Sequence, residues 1–196
     1  MKAVVDWTED NPQPFRNSRY VQASFSGETR RKLESFLAEG RLVLFVGSPC
    51  QVASLKKLRS YPNLICADLL CHGTASASYL EDEIRYLSRG RNVSDVRFRE
   101  GPRYRMSLWD GDKLICASDA ARSPYLYGYL FGITLREACY SCPFATPERT
   151  GDITLGDFIG IDRVNASFVW THGEAGAELF RSGGAAVEER ALGERL

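Results

Sequence analysis

The chain has no net charge. Its 196 residues carry 25 Lys plus Arg against 25 Asp plus Glu, so no overall field draws it to nucleic acid or anionic lipid. It also has no long apolar run. No window approaches the ~18 consecutive apolar residues that cross a bilayer. The start, Met1-Lys2-Ala3-Val4-Val5-Asp6-Trp7, has no apolar stretch of the kind a secretory signal needs. There is no internal repeat and no low-complexity segment. What remains is a globular composition, 44% hydrophobic and 11% aromatic, with the cytoplasm as the expected compartment. Six cysteines in a reducing compartment point to metal or redox chemistry more than to structural disulfides.

Apolar spacing predicts a helix over 27–38, with Ser26 as N-cap and Gly40 as the stop. Leu42-Val43-Leu44-Phe45-Val46 is a continuous apolar run, the pattern of a strand buried on both faces. Gly47-Ser48-Pro49 breaks it. A helix is expected over 51–60 and a second buried strand over 64–70. Strand, helix and strand in that order imply a parallel pair. A helix over 76–88 follows, stopped by Gly90.

The texture then changes to three strands, 93–98, 104–109 and 113–118, the last two joined by a hairpin turn at Asp110-Gly111-Asp112. The four arginines between Arg97 and Arg105 read as a solvated strand edge or an anion site. Ser123-Pro124 opens an aromatic helix, 153–158 reads as a strand and 174–180 as a short helix. The fold class is therefore α/β: a parallel-core mixed sheet with flanking helices and an antiparallel hairpin addition. Residues 1–18 read as an extension in which Val4, Val5 and Trp7 suggest a short strand. Residues 19–182 read as the domain, and 183–196 as a polar tail.

Four of the cysteines fall where chemistry is expected. Cys50 and Cys71 stand just after two parallel strands, at the edge where open α/β sheets build their sites. Adjacent strands run ~4.8 Å apart, which lets two such thiols face one point. Cys50 also begins a helix, where N–H groups and the dipole suit a thiolate ligand. Cys139 and Cys142 form a CxxC loop closed by Pro143, and Cys-Pro endings occur in iron–sulfur ligand runs. Four thiolates can hold a 4Fe–4S cluster. They can also hold zinc, although four-cysteine zinc sites commonly use two CxxC knuckles and there is one here. Redox thiols are the third alternative.

Cys66 and Cys116 lie inside strands and read as core. His72 reads as a loop histidine hydrogen-bonded locally rather than a ligand, and His172 carries no signal. Gly47 and Gly73 read as sharp turns beside the site. Asp152 and Asp157 flank the last strand, where a carboxylate either orients a cofactor or caps a turn.

Five segments now carry a resemblance: Arg19-Tyr20-Val21-Gln22, Gly47-Ser48-Pro49-Cys50-Gln51, Asp68-Leu69-Leu70-Cys71-His72-Gly73, Cys139-Tyr140-Ser141-Cys142-Pro143-Phe144, and the run from Gly151 to Ile161. In this order they resemble the C-terminal domain of the coenzyme F(420) hydrogenase/dehydrogenase beta subunit family, from about Ser18 to Phe180. The resemblance implies an iron–sulfur flavoprotein domain with a 4Fe–4S cluster and FAD. Such a domain passes electrons between the cluster and a deazaflavin or another acceptor. By matching motifs, Cys50, Cys71, Cys139 and Cys142 correspond to the cluster cysteines. Arg19, Tyr20, Gly47, Gly73 and Asp157 fall in the surroundings of the flavin or cluster. The partner implied is another redox subunit or a ferredoxin-like domain.

Family members are usually longer at the N-terminus, often with a cysteine-rich ferredoxin-like segment and a glycine-rich stretch near the flavin. This sequence contains neither, so weak FAD binding is expected. No catalytic residue is identified. The reading that competes with an electron relay is a non-catalytic metal-binding module of a larger assembly, with zinc or an inert cluster holding the fold.

Overall fold

The structure is a computed structural model that describes residues 18–58, 60–101, 103–157 and 167–183. The expected strand at Val4, Val5 and Trp7 lies outside these residues. In chain order the elements are α1 (Gly27–Ala38), β1 (Val43–Gly47), α2 (Pro49–Ser54), β2 (Leu64–Leu69), α3 (Ala77–Ser88), β3 (Asp95–Glu100), β4 (Arg103–Asp110), β5 (Lys113–Asp119), α4 (Pro124–Leu130), α5 (Glu137–Tyr140), β6 (Ile153–Asp157), β7 (Ser167–Thr171) and α6 (Gly173–Ser182). They form two compact units. One contains the described residues up to Ser24 together with His72–Cys142, and the other contains Phe25–Cys71 and the described residues from Pro143 onward. Among the described residues no helix is long and apolar enough to cross a membrane.

The parallel-sheet unit has four strands in the order β1-β2-β6-β7. β1 pairs with β2 and β2 with β6 in parallel, and β7 adds an antiparallel edge. α1 starts where expected, with the Ser26 hydroxyl accepting from the Thr29 N–H at 3.1 Å, which satisfies one of the unpaired donors of the first turn. Its Leu33 and Leu37 pack with Val52, Leu55, Leu58, Leu64 and Cys66 to form the core of this unit.

Three expectations need correction here. The predicted helix over 51–60 instead starts at Pro49 and ends at Ser54, followed by a 3₁₀ turn over Lys56–Leu58. β1 is not buried on both faces. Val43 and Phe45 join the core, whereas Leu44 and Val46 are about half exposed, at 52% and 50%. β1 is an edge strand, and the helices that pack on its core side leave its other side open. β7 was not foreseen at all.

The hairpin unit is a three-stranded antiparallel sheet, β3-β4-β5, turned at Gly111 with φ +56°. α3 and α4 lie on one face. Leu80, Val96, Phe98, Met106, Leu108, Tyr125 and Leu126 form its core. On the other face Arg97 lies 4.2 Å from the Trp109 ring and pairs with Asp95 at 2.9 Å. Arg105 pairs with Glu100 at 2.8 Å. The arginine run is thus an ion-paired, partly solvated sheet face. α4 is capped twice over. Ser123 accepts from the Leu126 N–H at 3.1 Å, and buried Glu83 of α3 accepts from the Ser123 hydroxyl at 2.6 Å and from the Tyr125 N–H.

Candidate metal centre

Cys50 and Cys71 belong to the parallel-sheet unit. Gly47 and Asp68 are register partners at the carboxyl ends of β1 and β2. Each cysteine lies three residues beyond its strand's member of that rung. The two cysteines therefore share a residue count from one rung, Cys50 as the second residue of α2 and Cys71 two residues past β2. Gly47 is buried, and a Cβ there would come within 2.8 Å of the Phe45 ring. It serves close packing, where a sharp turn was expected. Ser48 then caps α2: its N–H and hydroxyl both donate to Gln51 Oε1, at 2.9 and 3.0 Å. Pro49 takes the first helical position, where a missing N–H costs nothing. Cys50 follows, exposed, with its Sγ 3.2 Å from Ser48 Oγ. On the neighbouring strand the ladder extends one residue past β2, as Leu70 N–H donates to the Leu155 carbonyl at 2.8 Å. Cys71 comes next and is exposed.

Cys139 and Cys142 belong to the hairpin unit and are half-buried. Cys139 is inside α5, a single helical turn, which corrects the expectation of a plain loop. The Arg136 N–H donates to the Thr74 carbonyl at 2.9 Å, and Ala75 bridges Leu135, so α5 is docked on the 73–75 segment. Cys139 Sγ is 3.9 Å from Thr74 Oγ1. Gly73 adopts φ +118°, and a Cβ there would lie 2.7 Å from Leu135 Cδ1 and 3.4 Å from the Cys139 Cβ. Only glycine meets both the backbone angle and the contact. His72 Nε2–H donates to the Tyr129 carbonyl at 2.7 Å, 57 positions away in sequence, where a local bond was expected. Cys66 is fully enclosed. The Cys116 thiol is directed at the Leu87 carbonyl, 3.8 Å away. Both are packing residues.

All six cysteines are free thiols. Among the described residues no three His, Cys, Asp or Glu side chains are grouped as a metal site. The donor chemistry still fits an iron–sulfur cluster: four soft sulfur ligands, none spent on a disulfide, two of them exposed and two half-exposed.

The residues expected around a flavin are otherwise engaged. Arg19 pairs with Asp95 at 3.6 Å. The Tyr20 ring stacks on Tyr129 with centroids 5.1 Å apart, and also meets Phe98 and Tyr104. Gly47 and Gly73 are packing glycines, as above. Asp157 is exposed at the end of β6.

The sequence reading missed a network in the parallel-sheet unit. Asp68 is wholly buried yet ionised. Burial pushes its pKa up, but hydrogen bonds from Thr154, Arg149, Thr150 and Gly151 outweigh that and hold it below the ordinary 3.8. Thr154 donates to Asp68 Oδ1 at 2.6 Å, and the His172 ring nitrogen Nε2 is 2.8 Å from the same hydroxyl. The hydroxyl proton is committed to the carboxylate, so His172 donates from Nε2–H. Burial lowers the His172 pKa. Asp68 and Asp152 pull it up and Arg149 pushes it down, with a net shift below 6.5. Asp152 accepts from the Cys66 N–H at 2.8 Å. Of its two expected roles it therefore fills the structural one.

A mixed α/β fold with two thiols set beyond neighbouring parallel strands, a third on a helical turn and a fourth just after it defines a cysteine-bearing α/β class. The family model for the C terminus of the coenzyme F420 hydrogenase/dehydrogenase beta subunit matches residues 40–192, and the chain belongs to that family. Among solved structures, a chain of the F420-reducing [NiFe] hydrogenase complex from Methanosarcina barkeri shares the fold. It aligns at TM-score 0.54 and 16% identity, over 86% of this chain and 56% of that one. This chain thus spans little more than half of that neighbour's length. No curated protein matches.

Proposed function

We propose that this chain is an electron-relay component of an oxidoreductase, in which Cys50, Cys71, Cys139 and Cys142 hold one 4Fe–4S cluster. The observation that carries the reading is the paired placement of the thiols. Cys50 and Cys71 each lie three residues beyond one rung of β1 and β2. Within the hairpin unit Gly73 packs against the Cys139 Cβ. Family membership supports the same four residues.

When bound, the cluster supplies one-electron redox chemistry. The chain's own task is placement. Ser48, Pro49 and Gln51 fix the start of α2 under Cys50. The 73–75 segment fixes α5 under Cys139. Pro143 ends the CxxC segment. A deazaflavin is the proposed acceptor class, because the structural neighbour is an F420-reducing complex, and a second redox subunit is the proposed partner. No step is assigned to FAD.

The test is iron and acid-labile sulfide per chain in anaerobically purified protein. The wild type and Cys116→Ala should carry about four of each, and each of Cys50→Ser, Cys71→Ser, Cys139→Ser and Cys142→Ser should lose most of both. A colourless protein containing zinc would overturn the reading in favour of a structural metal module.

A further inference from the structure

We propose that Asp68 is a positioning residue that sets the Cys50 and Cys71 thiols, acting through Thr150 and Arg149; its consequence for a cluster rests on the function proposed above. A single carboxylate collects six contacts. Oδ1 accepts from Thr154 Oγ1 at 2.6 Å, Arg149 Nη2 at 3.0 Å and Arg149 Nε at 3.3 Å. Oδ2 accepts from the N–H groups of Thr150 and Gly151 at 2.9 and 3.0 Å, and from Thr150 Oγ1 at 3.0 Å. Two of these partners reach further. Thr150 Oγ1 is also 3.2 Å from the carbonyl of Pro49, the residue before Cys50, so its single proton is shared between that carbonyl and Asp68 Oδ2, while the Thr150 N–H alone stays committed to the carboxylate. Arg149 Nη2 also donates to the Leu69 carbonyl at 2.8 Å, two residues before Cys71. The segments leading into both thiols are therefore tied to one buried charge.

The choice of residue supports this reading. Asp68 faces the same side of β2 as Leu64 and Cys66, both in the apolar core. An apolar side chain there would keep the sheet packed without burying an ion. Taking Asp68 and Arg149 out of water, with side chains 0% and 7% exposed, costs desolvation that the pair's attraction at best roughly offsets. What an apolar residue cannot do is hold Pro49, Leu69 and the 149–151 loop in one register. The carboxylate is thus explained by positioning rather than by net stability.

The test uses metal-free, reduced full-length protein pulsed with a neutral haloacetamide, with labelling read at each cysteine by mass spectrometry. Thr150→Val removes the shared hydroxyl, Thr150→Ser keeps it, and Asp68→Asn removes the charge. Fully enclosed Cys66 reports unfolding in the same sample. Thr150→Val should change the Cys50 rate about threefold or more while Cys66 stays protected. Asp68→Asn should change both Cys50 and Cys71. Thr150→Ser should match the wild type, and Cys139 and Cys142 should not change. Rates within about twofold of wild type at Cys50 and Cys71 in all variants, or changes that only track Cys66, would overturn the proposal.

Iron retention read in parallel separates the two claims. Selective rate changes in a wild type that binds no iron sustain the positioning role and sink the cluster. Iron in the wild type with unchanged rates does the reverse.

Discussion

Thr154→Val is the most informative substitution for the architecture around the thiols. Thr154 is fully buried on β6. Its hydroxyl donates to Asp68 at 2.6 Å and accepts from His172 Nε2 at 2.8 Å. Valine keeps the branched shape but not the hydroxyl. The loss of a hydrogen bond to a charged group costs about 1.5–3 kcal/mol. His172 is half-buried, so its orphaned N–H adds about 1 kcal/mol, the low end of the range for an unsatisfied donor. The total is roughly 2.5–4 kcal/mol, or about 70- to 1,000-fold in the opening equilibrium. Native-state hydrogen exchange over β2 and β6 reads the stability of this sheet directly.

The same variant has a pH signature. Asp68 and His172 both have pKa values depressed by folding. Their contributions are complete above the unfolded values and vanish as pH falls through the folded ones, first for His172 below 6.5 and then for Asp68 below 3.8. Thr154 contributes most among the hydrogen bonds that keep the Asp68 carboxyl ionised, so its removal should move the acid-unfolding midpoint to higher pH. A cost under about 0.5 kcal/mol together with an unmoved acid midpoint would refute the reasoning.

Other outcomes follow from the same structure. Burial, and then the charge of Glu83, push the Tyr125 phenol up to about 12, while its hydroxyl donates to the Tyr20 carbonyl at 2.6 Å. Its stabilisation should hold below pH 10 and fade as pH climbs toward 12, with one late-titrating tyrosine in phenolate absorbance that Tyr125→Phe removes. Gly176→Ala should destabilise α6 by about 1–3 kcal/mol in a urea melt, because the new Cβ would overlap the Asp152 carbonyl and crowd the Ile153 side chain at 3.2 Å. FAD released by acid from the isolated chain should be well below one per chain and should rise when a redox partner subunit is supplied.

The elements that carry local signals were legible. Ser26 caps the helix its position announced, Ser123 opens α4 as its place before Pro124 suggested, and Asp110-Gly111-Asp112 turns the hairpin. The parallel pairing of β1 and β2 followed from strand–helix–strand order. The exposure of Leu44 and Val46 did not, because an apolar run reports what a strand can bury and not which strand ends at an edge. β7 escaped notice because Ser167–Thr171 is short and gains its order by pairing with β6. The Asp68 network escaped because Thr154 and His172 lie 86 and 104 positions away in sequence and each reads alone as an ordinary polar residue. One signal was present. An aspartate inside Leu64-Ile65-Cys66-Ala67-Asp68-Leu69, otherwise a buried strand, must find partners, and those partners mark the organising point of the sheet's carboxyl edge.

The role proposed for this chain is to carry electrons on a four-cysteine cluster. The most direct test is an anaerobic reductive titration of the purified chain, followed by visible absorbance and then by addition of an oxidised one-electron acceptor dye. The account predicts a brown protein whose broad absorbance bleaches with about one electron per chain and recovers when the dye accepts that electron. Cys139→Ser should show neither change. A chain with four intact thiols that stays colourless after iron and sulfide reconstitution, and takes up no electrons, would contradict it.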